Sequence, residues 1–81
     1  MIEVTYGQLD EVLRSLGFSV RLLEEKGRVY EHGQTGALIA FPNRRLTSSV
    51  LPRHLSATQA TLDVFGIATP LEFTTSLQKA S

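Results

Sequence analysis

The chain has 81 residues, no cysteine, and eight acidic and eight basic side chains that cancel to a formal charge of zero. A chain this short supports one domain and one core and buries about 60% of the surface its unfolded form exposes, so modest stability is expected unless it dimerises or docks on a partner. Without cysteine, disulfides and thiolate metal sites are excluded. No apolar run reaches the roughly 18 residues of a membrane span, and no basic segment precedes an apolar stretch as in a signal peptide. These absences point to a cytoplasmic domain with no membrane partner.

The first helix carries the strongest signals. Thr5 and Gln8 have the T-x-x-Q spacing of a capping box. Leu9, Val12, Leu13 and Leu16 follow on one helical face. Gly17 supplies the left-handed stop, and Phe18 stands where a Schellman motif places an apolar contact with Leu13.

Three strands follow. Ser19 to Glu24 is apolar-rich, and Glu25-Lys26-Gly27 has the composition of a tight turn. Arg28 to His32 alternates, with Val29 and Glu31 on one face and Arg28, Tyr30 and His32 on the other. The pattern does not say which face is buried. After Gly33-Gln34-Thr35-Gly36, the apolar run Ala37 to Phe41 suits a central or well-covered strand, ended by Pro42.

Residues 43–51 read as a polar loop with room for a short extended piece. Pro52 opens a second helix in which Leu55, Leu62 and Phe65 keep a loose helical spacing, stopped by Gly66. Thr69-Pro70-Leu71-Glu72 combines a capping box with proline at the first helical position, and Phe73, Leu77 and Ala80 form an apolar stripe. No repeat or linker is visible. The order α-β-β-β-α-α with short connections predicts an α+β domain over 1–81. It has a three-stranded antiparallel sheet with helices packed on one face.

Zero net charge argues against wholesale binding to nucleic acid, but the charges are unevenly spread. Residues 1–31 hold six acids and four bases. Residues 32–62 hold no acid, with Arg44, Arg45, Arg53, His32 and His54. Such a stretch offers an anion a local positive field, or is ordinary surface dressing. P-loop, dinucleotide and H-E-x-x-H signatures are absent, no motif requires a cofactor, and His32 and His54 are not spaced as a local metal pair.

Three groups are candidates. His32, at a strand end beside a glycine turn, is a candidate general acid or base, or a polar turn cap. Tyr30 and Arg28 share its face and could clamp a nucleotide by stacking and charge, or be half-buried. Arg44 and Arg45 could take phosphates as bidentate donors, or be a solvated loop.

The segments Tyr6 to Phe18, Gly27-Arg28-Val29-Tyr30-Glu31-His32 and Thr35 to Pro42 together resemble the HicA family of small bacterial toxins. The resemblance covers roughly residues 5–65, and the string Tyr-x-His-x-x-Thr-Gly-Ala-Leu-Ile-x-x-Pro carries most of it; the helix over about 69–80 extends past the shortest members. It implies a compact double-stranded-RNA-binding-like fold and an mRNA interferase neutralised by a HicB antitoxin. It also implies an RNA surface on the sheet and the nearby basic loop, reading phosphates and 2′-hydroxyls. The candidate RNA-binding residues are Lys26, Arg28, Tyr30, His32, Arg44, Arg45 and Arg53.

One departure bears on activity. The family usually carries Gly-Ser-His at the start of the second strand, and that histidine is catalytic. Ungapped alignment puts Gly27 at the histidine position and Lys26 at the serine; alternatively the hairpin has lost two residues. His32 matches a second, non-catalytic histidine of the family. Three readings follow: a HicA-like domain that binds RNA or a HicB-like antitoxin without cutting, an active ribonuclease using His32 or His54, and a protein–protein module or homodimer.

Overall fold

The computed structural model describes residues 3–24 and 27–80. The elements run α1 (Tyr6–Ser15), β1 (Phe18–Leu23), β2 (Gly27–His32), β3 (Leu38–Phe41), α2 (Pro52–Val64) and α3 (Pro70–Ala80). This is the α+β arrangement the sequence predicts.

The capping box of α1 is formed. The Gln8 N–H donates to Thr5 Oγ1 at 3.2 Å, and the Thr5 N–H donates to Gln8 Oε1 at 2.8 Å. Leu9, Val12 and Leu13 are buried on one face, joined by Tyr6. Gly17 stops the helix at φ +98°, its N–H bonded to the Arg14 carbonyl at 3.1 Å. The left-handed conformation suits a residue without Cβ.

The strands form an antiparallel meander in the order β1-β2-β3. Val20 pairs with Tyr30, and Tyr30 with Ile39. That row and its neighbours Phe18, His32 and Phe41 form the buried face, which the helices cover. The other face carries Ser19, Arg21, Glu31, Leu38 and Ala40, all exposed. The position of β3 corrects the sequence reading: β2 is central, and β3 is an edge strand covered on one face, with Leu38 60% exposed. A short apolar run does not distinguish a central strand from a half-covered edge.

In α2 the apolar spacing is also corrected. Leu62 is fully buried and Leu55 packs on the core, but Phe65 is 44% exposed. Thr58 takes a buried position instead, its hydroxyl donating to the His54 carbonyl one turn back at 2.8 Å. That bond lets a polar residue sit in the core. The second capping box, Thr69 with Glu72, is formed by bonds of 2.9 and 3.2 Å. Phe73 and Leu77 are buried as α3 packs on α1 and α2. Among the described residues no helix is long and apolar enough to cross a membrane.

Candidate nucleic-acid interface

The segment from Pro42 to Leu51 has almost no regular structure, yet its backbone is held against α1. The first donors of a helix have no partner within it. Here the Tyr6 N–H donates to the Ser48 carbonyl at 3.0 Å and the Gly7 N–H to the Leu46 carbonyl at 2.8 Å. The Val50 N–H donates to the Val4 carbonyl at 2.7 Å, and Thr5 and Ser49 form an isolated antiparallel bridge, the short extended piece expected here. The start of α1 therefore anchors the loop and has no donors left over for an anion.

Gly27 anchors the loop from the other side. It has φ +94°, and a Cβ placed on it would overlap the Phe41 carbonyl oxygen and lie 2.7 Å from the Asn43 nitrogen. The chain leaving β3 passes through the space a side chain would fill. A histidine cannot occupy this position without moving the backbone of 41–43.

Arg44, Arg45 and Arg53 are exposed, and among the described residues none is in an ion pair. The first turn of α2 lies against the end of β3, with the His54 and Phe41 ring centroids 5.7 Å apart. The backbones that carry the three arginines thus gather at one end of the sheet.

Arg28 begins at the same end, but its charge is committed. Its guanidinium lies 3.5 Å from Asp10 Oδ1, and Arg14 holds Asp10 Oδ2 at 3.0 Å. The Tyr30 hydroxyl donates to Asp10 Oδ1 at 2.5 Å. Burial, and then the bond to the Asp10 carboxylate, push the Tyr30 hydroxyl up to about 12 from its ordinary 10.0. Tyr30 is 1% exposed, so its ring is a core element and cannot stack on a base while the helices cover it. Lys26 lies outside the described residues.

His32 is at the opposite end of β2, about 17 Å from Gly27 at 3.3 Å per residue. It is buried, with Nε2 3.1 Å from the Leu16 carbonyl and Nδ1 2.9 Å from Thr35 Oγ1. A carbonyl only accepts, so Nε2 carries a proton, and in the neutral ring Nδ1 accepts from the Thr35 hydroxyl. Both nitrogens are occupied, tying the end of α1 to the β2–β3 turn. The face that the alternation of β2 left open is thus decided: Arg28, Tyr30 and His32 share the inner one, so Tyr30 and His32, both candidate RNA-binding residues by sequence, are enclosed. His54 is half-buried, its Nδ1 2.9 Å from the Tyr6 hydroxyl.

Of the seven sequence candidates, the structure carries Arg44, Arg45 and Arg53, all exposed, on backbone at one end of the sheet, gives Arg28 to Asp10 and encloses Tyr30 and His32. Sequence reasoning missed Asp10 and Tyr6. The i,i+4 spacing of Asp10 and Arg14 was the available signal for the first; nothing local marks the second. No group of three His, Cys, Asp or Glu side chains among the described residues is placed to hold a metal ion. In comparisons with known proteins, the chain matches no protein-family model, no curated protein and no solved structure.

Proposed function

We propose that this chain is a HicA-like domain that holds RNA on the arginines of residues 42–53 without cutting it. The observation that carries the reading is how the charges are paired. Arg44, Arg45 and Arg53 are exposed and unpaired among the described residues, in a stretch without acids, whereas Arg14 and Arg28 share Asp10. Free cations on an anchored loop neutralise phosphates and release counterions, which is the main source of sequence-independent nucleic-acid affinity. The non-cutting half rests on the histidines: no side chain fits at Gly27, and His32 spends both ring nitrogens inside the protein. By the same resemblance, the protein partner is a HicB-like antitoxin and the place of action is the cytoplasm.

The test is the affinity for a short labelled single-stranded RNA, measured by fluorescence anisotropy over a salt series. Three phosphate contacts give a slope of log K against log salt of about −2. A slope indistinguishable from zero removes the RNA reading.

One observation favours a second reading, an active ribonuclease built on His54 rather than His32. His54 is at the arginine end, and the Tyr6 hydroxyl holds one ring nitrogen in place. A base oriented by a second group is the usual arrangement for proton transfer. RNA cleavage abolished by His54→Ala and retained by His32→Ala would establish it.

A further inference from the structure

We infer that the Pro42–Leu51 loop is a pinned clamp for the sugar–phosphate backbone of RNA, that Gly27 and Gly7 are its pins, and that it takes phosphates without reading bases. The inference rests on the RNA-binding reading and names the ligand chemistry and the residues that position the clamp.

Two glycines touch the loop where no other residue fits well. At Gly27 a Cβ would overlap the Phe41 carbonyl oxygen, with the Asn43 nitrogen at 2.7 Å and the Pro42 carbonyl carbon at 2.8 Å. All three atoms are backbone, so a methyl group there displaces the chain just before Arg44. At Gly7 a Cβ would lie 3.1 Å from the Leu46 carbonyl oxygen, the atom that accepts the Gly7 N–H. A methyl group there presses on the bond that holds the chain just after Arg45. Arg44 and Arg45 therefore sit between two close backbone approaches. A pinned loop presents its charges without a large ordering cost on binding.

The ligand class follows from what the same end lacks. Proteins that read single-stranded RNA by base commonly stack the unpaired bases on exposed aromatic rings. Tyr6, Tyr30 and Phe41, the tyrosine and phenylalanine rings at this end, are all at least 95% buried. The loop and the start of α2 expose the guanidinium charge of Arg44, Arg45 and Arg53, with the short polar side chains of Asn43, Thr47 and Ser49 and no aromatic ring. That arrangement addresses phosphates.

Gly36 supplies the control. It has φ +76°, so alanine there meets the same backbone penalty as at position 27, but a Cβ would find nothing within 4 Å. Limited trypsin digestion reads the clamp directly, since Arg44 and Arg45 are cleavage sites, and it needs no RNA. Gly27→Ala should be cut at 44–46 about tenfold faster than the native chain, Gly7→Ala a few-fold faster, and Gly36→Ala at about the native rate. Should Gly27→Ala fail to fold, Gly7→Ala against Gly36→Ala still decides. Equal cutting of these two variants overturns the pins. In salt series, Gly7→Ala should shorten the RNA slope by about 0.7, the loss of one phosphate contact. Oligo(U) and oligo(A) should bind the native chain within about threefold of each other, and a preference above about tenfold overturns the base-independent clamp. Faster cutting of Gly7→Ala together with no RNA binding by the native chain would leave the pins standing and defeat the RNA reading itself.

Discussion

The two ends of the central strand spend their polar groups in opposite ways. At the His32 end the titratable ring is turned inward: the imidazole bonds Leu16 and Thr35, and Thr35 Oγ1 also accepts the Ala37 N–H at 3.2 Å. At the Gly27 end the backbone is packed so tightly that no side chain fits at Gly27, and Arg44, Arg45 and Arg53 are exposed and in no ion pair among the described residues. The lesson is that a histidine and an arginine on one chain, both plausible for RNA chemistry, do opposite work. One ties elements of the fold together and the other stays exposed.

The largest effect that sharpens this contrast is at His32. His32→Ala removes a buried ring and leaves the Leu16 carbonyl and the Thr35 hydroxyl without it, costing about 3 kcal/mol of stability by denaturant titration. RNA affinity of the folded variant should be unchanged. The triple replacement Arg44→Ala, Arg45→Ala and Arg53→Ala should do the reverse. It should take about 2 kcal/mol from RNA binding at low salt and flatten the slope, while stability moves by about 0.5 kcal/mol or less, as expected for exposed positions. If the two sets of variants behave alike, the contrast between the ends is broken.

Tyr30 gives a pH signature. Its hydroxyl ionises near 12 in the folded chain and near 10.0 when free, so the folded state favours the protonated form. The sign follows: this stabilisation is fully present below pH 10 and is lost as pH rises through 12. Two units correspond to about 2–3 kcal/mol. Alkaline denaturation of the native chain should steepen in that window, and Tyr30→Phe should remove the step. A smaller effect belongs to the second capping box. Thr69→Ala should cost about 1 kcal/mol, read as a lowered midpoint in denaturant. Its partner Glu72 has its carboxyl held below the ordinary value, first by the Thr69 backbone N–H and then by the Thr69 hydroxyl. The capping contribution should therefore fade as pH falls through the carboxylate range.

How much of this was legible depends on the distance over which each feature is decided. The starts of α1 and α3 were legible because a capping box lies within four residues: Thr5 with Gln8, and Thr69 with Glu72. The stop at Gly17 is equally local. The alternation of β2 was legible too, but its buried side was not. Arg28, Tyr30 and His32 share a face with polar groups at both ends, and what permits their burial comes from afar. Asp10 meets Tyr30 from twenty residues away, and the Leu16 carbonyl meets His32 from sixteen. The apolar spacing placed Phe65 with Leu55 and Leu62, yet at the C-cap of α2 it is 44% exposed, while Thr58 is buried because its hydroxyl bonds one turn back. Of the site, the three free arginines were visible as an acid-free stretch. Their pins were not, since Gly27 reads as turn chemistry until the chain after β3 is seen passing over it.

The most direct measurement puts end-labelled RNA with the purified protein at low salt, without added metal, and runs the same mixture on a native and a denaturing gel. A retarded band on the native gel, full-length RNA on the denaturing gel, and loss of retardation in the triple arginine variant are the results expected. RNA that migrates freely at every protein concentration, or that is cut by the native chain, would contradict the account.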